Sequence, residues 1–368
     1  MDPPRPLTIG IDARAAAEVP AGRGRTVREL LRALSANGDD ANSYVLYTRE
    51  RWHGARLDER FRWETIAAAE PLWHLLAARR ANRECDVFLS TNSYLTVWFL
   101  RIPAVTIVYD LTTFAPTMRP NRRSAAIERL TLGRAVRRSA AILAISRSTA
   151  DVLVERFPAA RQRTVVAHLG AAPPDVGELA PGEADALPTP GFVLAVGTLE
   201  PRKNLPRLVV AYGALGVELQ RRHPLVVVGA LGWETGETLD ALRSLGERAT
   251  MLGFVSDAAL AELYRRCAVF CYPSLGEGFG LPVLEAMAAG APVVTSNISS
   301  LPEVGGDAAE YVDPRDVASI AGGIRRVLED TGLRDRLAHA GPPRAAEFSW
   351  ARFAERTLAL LQAASTRS

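Results

Sequence analysis

The chain is predicted to be an α/β protein with two doubly wound parallel-sheet domains. Three observations lead there. Its 368 residues suit two domains of ordinary size, and 48% are hydrophobic, enough for two cores. Short apolar runs rich in β-branched residues alternate with amphipathic helical patterns, the rhythm of parallel sheets covered by helices. That rhythm breaks once, at 171–191, where AAPPDVGELAPGEADALPTPG holds five prolines and three glycines without an apolar period.

Before the break, strands are expected at 7–13 (LTIGIDA), 43–48 (SYVLYT), 85–91 (CDVFLST), 104–110 (AVTIVYD), 140–146 (AAILAIS) and 164–170 (TVVAHLG). Helices fill the gaps, among them 25–37 and 148–157. After it, strands are expected at 192–198 (FVLAVGT), 225–230 (LVVVGA), 249–255 (ATMLGFV), 268–273 (AVFCYP) and 291–296 (APVVTS). Ser256 is placed to cap the helix ALAELYRRC. Another helix opens near Leu281, with Pro282 in its first turn, where a missing N–H costs little, and ends at Gly290. A last one runs from Ser349 to about Ala364. The boundaries read 1–172, a linker at 173–190, 191–345, and a closing helix at 346–368. Ligands of such sheets bind at the C-terminal ends of the strands, here in a cleft that the two domains are expected to face.

Net charge is only +3 but uneven. Residues 1–170 hold 26 Arg against 17 acids, +9, and 171–368 hold 18 cations against 24 acids, −6. The stretch 119–138, RPNRRSAAIERLTLGRAVRR, carries seven arginines and one acid, Glu128. It reads as a core-facing helix with a solvated basic face, or as a basic amphipathic helix resting on an anionic membrane surface. Nucleic acid is not expected as a partner, because aromatics are sparse near these arginines. Three cysteines, Cys85, Cys267 and Cys271, give neither a disulfide framework nor a zinc quartet. MDPPRPLTIG lacks a signal-peptide pattern, and Tyr94 to Val108 is broken by Arg101 and Pro103. A cytoplasmic protein is expected, peripheral on the inner face of the membrane if the basic stretch binds lipid.

Two stretches carry the chemistry. In SLGEGFGLPVLEAMAAG (274–290) a strand gives way to a glycine loop and then a helix, an anion site in which free N–H groups and the helix dipole face outward. Gly278 and Gly280 let the backbone approach a phosphate. Glu285, one turn inside the helix, is a candidate for a ribose diol. Glu277, in the loop, is a candidate for binding hydroxyls or stabilising positive charge. In GTLEPRKNLP (197–206) the turn after a strand presents Arg202 and Lys203, and Lys203 is the only lysine beside 43 arginines. A compact ammonium and a planar guanidinium are not interchangeable at a cramped phosphate. In the first half, AGRGR (21–25) resembles a phosphate loop lacking its third glycine. Tyr109-Asp110 ends an apolar strand, and Asp12 reads as a turn-former.

These residues resemble the retaining glycosyltransferases of family four, which have the GT-B fold, and their mannosyltransferase-like branch in particular. The stretches that carry the likeness are IGIDAR…GRGR (9–25), ISRSTADVLVERF (145–157), VGTLEPRKNL (196–205), LGFVSDAALAELY (252–264), EGFGLPVLEAMAAGAPVV (277–294) and FSWARFAERTLAL (348–360). The resemblance implies two Rossmann-like domains around a nucleotide-sugar cleft, with the last helix returning to the first domain. It implies transfer of a hexose, with mannose from GDP-mannose preferred, to a glycan or lipid-linked acceptor, with retention and without cofactor or metal. It makes Arg202, Lys203 and Glu277 catalytic: the two cations on the diphosphate, Glu277 on the sugar hydroxyls. Donor contacts fall to Gly22, Gly24, Tyr109, Gly197, Thr198, Phe254, Val255, Gly278, Phe279, Gly280, Leu281 and Glu285, the last on ribose. Thr198 stands where many relatives have arginine, a loss Arg202 is expected to offset, and Tyr109 where they commonly have histidine. A nucleotide-sugar epimerase or hydrolase of this fold, and a non-catalytic nucleotide-sugar-binding partner, are the alternatives.

Overall fold

The computed structural model describes residues 5–20, 22–38, 41–92, 94–114, 122–171, 177, 179, 181–232 and 235–366. They form two compact units, one holding 5–114, 122–170 and 349–366, the other 171–348.

The first unit is a seven-stranded parallel sheet in the order β3-β2-β1-β4-β5-β6-β7. Its strands are β1 (Thr8–Asp12), β2 (Ser43–Thr48), β3 (Phe61–Thr65), β4 (Val87–Ser90), β5 (Ala104–Val108), β6 (Ala141–Ala144) and β7 (Thr164–Val166). The second is a six-stranded parallel sheet in the order β10-β9-β8-β11-β12-β13. It contains β8 (Val193–Val196), β9 (Leu225–Val228), β10 (Ala249–Gly253), β11 (Val269–Tyr272), β12 (Val293–Ser296) and β13 (Ala309–Val312). In each sheet the chain builds outward to one side, returns to the centre, and builds to the other. The reversal lies between β1 and β4 in one unit and between β8 and β11 in the other. Loops leaving the C-terminal ends of two such strands diverge and open a crevice.

The apolar runs became the buried strands; β4, β5, β6, β9, β11 and β12 are buried at every residue. Two edge strands, β3 (FRWET) and β13 (AEYV), carry no sequence expectation. Most of their residues are only half-buried, so neither needs the continuous apolar run that marks a central strand. The caps follow the expected chemistry: Ser256 accepts from the Ala259 N–H and Ser349 from the Arg352 N–H. The helix expected at 148–157 starts at Arg147, capped by Ser146. Within the expected linker, 172–176, 178 and 180 lie outside the described residues, and Glu183–Ala186 forms a single helical turn.

The last helix, Trp350–Ser365, packs on the first unit through Trp350, Phe353, Leu358 and Leu361. Gly170 lets it approach, since a Cβ there would lie 2.3 Å from the Trp350 nitrogen. Asp12 is more than a turn-former: it pairs with buried Arg14 at 2.9 and 3.0 Å, and that guanidinium also bonds Glu70 at 2.9 Å. Trp73 lies under it, 3.9 Å from the ring centroid. Removing one partner of such a pair would strand a buried charge.

Of the basic stretch 119–138, residues 119–121 lie outside the described residues; the rest lies on the helix Arg122–Arg138. Several of its arginines turn toward their own unit. Arg129 bonds the Thr113 carbonyl, Arg138 the carbonyls of Val97 and Leu100, and Arg134 lies 5.1 Å over Trp98. Ile127 and Leu130 face outward, 54% and 73% exposed.

Candidate active site

The turn after β8 is built to aim one ammonium. Gly197 has φ +145°, a conformation that favours glycine, and its missing side chain leaves room for the Lys203 stem. A Cβ on Gly197 would lie 3.3 Å from Lys203 Cε. Pro201–Lys203 forms one tight helical turn, after which Asn204 takes the left-handed conformation (φ 61°, ψ 27°). Asparagine tolerates that region better than most residues. Its buried side-chain amide donates to the carbonyls of Pro273 (2.9 Å) and Pro314 (2.6 Å), fixing the turn to the loops after β11 and β13. The helix Leu205–Gly213 begins at once, with Pro206 in its first turn.

Across the switch point, the loop after β11 brings Glu277 under this turn. Its carboxylate accepts from Lys203 Nζ at 2.9 Å, Tyr272 Oη at 2.8 Å and Ser274 Oγ at 2.7 Å, and also from Arg202 Nη1. Arg202 further bonds the Gly276 carbonyl at 3.0 Å and the Glu200 carboxylate. The four charged side chains are 9–20% exposed and sum to zero. Glu277 thus forms an ion pair with each cation of this turn.

Burial resists the ionisation of Glu277, but Arg202 and Lys203 outweigh it and bring the carboxyl to about 2. Burial, then the charge of Arg202, lowers Lys203 from its ordinary value. Burial, then Glu277, raises the Tyr272 phenol well above its ordinary range. The Lys203 ammonium has three donors. One goes to Glu277 and one to the Tyr272 hydroxyl, so one N–H remains among the described residues. Arg202, by contrast, commits both arms of its fork to carboxylates and a carbonyl.

The helix Leu281–Ala288 starts from Gly280, whose φ is +113°. The N–H groups of Gly280 and Leu281 take no hydrogen-bond partner among the described residues. Such N–H groups at a helix start are an anion site. Ser300 Oγ fixes the loop by donating to the carbonyl of Phe279 (2.7 Å), with the Glu277 carbonyl also within reach (3.0 Å). Gly278 is buried, and the Phe279 ring is turned inward against Phe348 (5.7 Å, 76°). Glu285 is half-buried, and Tyr264 Oη donates to its Oε2 at 3.3 Å. After β10, Phe254 stands 75% exposed and Val255 half-buried; Thr198 is exposed after β8.

The first-unit candidates form a separate group. Gly22 caps the helix Arg23–Ala36 with φ 54°. Gly24 is demanded by packing, since a Cβ would lie 1.7 Å from the Val19 carbonyl oxygen. Tyr109 is 7% exposed, with the Arg23 guanidinium 5.4 Å from its ring centroid. Among the described residues its buried hydroxyl has no hydrogen-bond partner. Arg23 also lies 3.9 Å from buried Glu128, whose carboxyl burial raises to about 7 against the pull of that arginine.

Sequence reasoning missed Tyr272, Ser274, Glu200, Asn204 and Tyr264. Tyr272 is the last residue of β11, a position where ligand contacts gather; the apolar run VFCY masked it. Among the described residues no group of three or more His, Cys, Asp or Glu is placed to hold a metal ion, and no helix is long and apolar enough to cross a membrane.

Residues 183–344 match the family "Glycosyl transferases group 1", and residues 20–173 match "Glycosyltransferase Family 4". The chain is 37% identical over 262 residues to an O-antigen chain mannosyltransferase B of Escherichia coli, covering 67% of each. It is 42% identical over 165 residues to the serotype-specific mannosyltransferase WbdA of Escherichia coli. That match covers 44% of this chain and only 20% of WbdA. Among solved structures, the sucrose-phosphate synthase of Thermosynechococcus elongatus superposes with a TM-score of 0.75 at 19% identity, over 99% of this chain and all of that one. The two parallel sheets are thus those of the GT-B fold.

Proposed function

Because the chain belongs to the family-4 glycosyltransferases, enzymes that transfer sugars, we propose that it moves mannose from GDP-mannose to a glycan or lipid-linked acceptor, with retention and without a metal. The sugar and the glycan acceptor rest on the relatives, which are named as mannosyltransferases, one of them for an O-antigen chain; the guanine nucleotide rests on the resemblance of GTLEPRKN alone. The observation that carries the chemistry is the remaining N–H of Lys203. With the N–H groups of Gly280 and Leu281 it offers donors to a diphosphate at the ends of two adjacent strands. Negative charge builds on the leaving diphosphate as the sugar–phosphate bond breaks, and fixed donors aimed at that charge lower the barrier. In this reading Arg202 serves the phosphate through Glu277, by helping to hold the carboxylate that fixes Lys203. Glu277 meets the sugar hydroxyls, Glu285 the ribose, and the exposed ring of Phe254 stacks on the base.

Retention without an evident protein nucleophile suits a front-face displacement in which the leaving phosphate receives the acceptor's proton. The protein would work on the cytoplasmic face of the membrane, with Ile127 and Leu130 of the basic helix toward anionic lipid.

The test is mannose transfer from GDP-mannose to a lipid-linked mannan primer. Transfer is expected only with acceptor present, and Lys203→Ala should cut it at least ~100-fold with the melting temperature retained. Near-normal turnover in Lys203→Ala would overturn the role of the lysine. Free mannose released equally without acceptor would mark a hydrolase instead.

A further inference from the structure

We propose that Tyr264 is a positioning residue that sets the enzyme's preference for a ribose diol, by holding the carboxylate of Glu285 from beneath. The assignment rests on Glu285 being the ribose carboxylate, as proposed above.

Two carboxylates flank the glycine loop, and a tyrosine hydroxyl donates to each. Tyr272 Oη reaches Glu277 Oε1 at 2.8 Å, and Tyr264 Oη reaches Glu285 Oε2 at 3.3 Å. The two rings are joined through Phe270. Tyr264 meets it edge-on (5.3 Å, 85°), and Tyr272 stacks on it (5.8 Å, 24°). All three aromatics are at most 3% exposed. Phe270 and Tyr272 lie on β11, while Tyr264 comes from the helix Asp257–Arg266. A rigid apolar wedge therefore ties the hydroxyl behind one carboxylate to the hydroxyl behind the other.

Glu285 needs such support. A half-exposed glutamate has three rotatable side-chain bonds, and ordering them opposes binding. A diol is recognised only when both carboxylate oxygens face it together, so fixing the carboxylate beforehand raises affinity for the diol alone. Tyr264 is placed to do this without touching the ligand, because it lies buried behind a carboxylate that is not.

The test is calorimetric binding of GDP, UDP and ADP to the full chain, then of the 2′,3′-dideoxy form of the tightest binder. Wild type should prefer the ribonucleotide by about tenfold or more, since a site built for hydroxyls rejects a ligand lacking them. Glu285→Ala should abolish that preference. Tyr264→Phe should reduce it to below about threefold while the dideoxy affinity stays unchanged. The dideoxy ligand is the internal control for folding: if Tyr264→Phe weakens both ligands equally, the tyrosine is merely structural and the proposal fails. Full discrimination in Tyr264→Phe with its loss in Glu285→Ala would overturn the proposal and leave the ribose assignment standing. Discrimination retained in Glu285→Ala would remove the ribose assignment itself.

Discussion

Lys203 and Glu277 meet at 2.9 Å, and the Tyr272 hydroxyl bonds both of them. The cation proposed to serve the donor diphosphate thus already has a carboxylate partner. Replacing Glu277 with glutamine leaves Lys203 and Arg202 less neutralised. Affinity for free nucleoside diphosphate is expected to rise several-fold while turnover falls ~100-fold or more, because the sugar contact is lost. Removing one partner of a buried pair should also cost about 3 kcal/mol of stability. Calorimetric binding beside steady-state kinetics separates the two effects; weaker diphosphate binding would contradict this account.

Gly197 gives the Lys203 stem its room. Gly197→Ala combines a left-handed φ with a Cβ 3.3 Å from Lys203 Cε. A destabilisation of about 1–2 kcal/mol is expected, and a larger relative loss of turnover than of stability. Chemical denaturation and kinetics on the same preparation check the ratio.

Asn204 anchors the turn to two neighbouring loops, by one side-chain bond to each. Asn204→Ala loses both and the left-handed preference, and should cost about 2–3 kcal/mol. Asn204→Gly restores the backbone freedom alone. If the side-chain bonds matter, glycine will recover only part of the stability.

The pH dependence follows from the same cluster. The Glu277 carboxyl is near 2 when folded, against an ordinary 4.5. A lowered folded value contributes stability that is complete above 4.5 and lost as pH falls toward 2. Glu277→Gln should flatten that part of the acid unfolding profile. Lys203 is lowered from its ordinary 10.5, so on the alkaline side the free enzyme should lose donor affinity before an ordinary lysine would titrate. An alkaline limb of kcat/KM that vanishes in Lys203→Arg checks this.

Phe254 is 75% exposed, so truncating it should leave stability within about 0.5 kcal/mol. If it stacks on the base, Phe254→Ala should weaken nucleotide binding by about 1–3 kcal/mol. Unchanged affinity would place the base elsewhere.

Much of this was legible in residues alone. The apolar runs marked every central strand, because a strand buried on both faces needs an unbroken apolar sequence. The glycines and Pro282 marked the helix start at Leu281. The edge strands β3 and β13 escaped, since FRWET and AEYV lack such a run and their half-buried positions do not need one. Gly24 shows the opposite difficulty. Its loop looked like a phosphate approach, yet a Cβ there would collide with the Val19 carbonyl, a packing demand that spacing does not reveal.

The sequence by itself determined two parallel sheets, the turn that carries the lone lysine, and the glycine loop opposite it. These follow from local chemistry: β-branched runs, capping residues, and the placing of glycine and proline. Tertiary structure alone decided how the charges pair. It joined residues some 70 positions apart, giving Glu277 both cations and committing the fork of Arg202 to carboxylates. Pairing depends on which strand ends become neighbours at the β8–β11 switch point, and on a burial that makes each unpartnered charge costly. Lysine at 203 therefore has a physical reason that its rarity only hinted at: two of its donors hold the cluster together, and one remains uncommitted among the described residues.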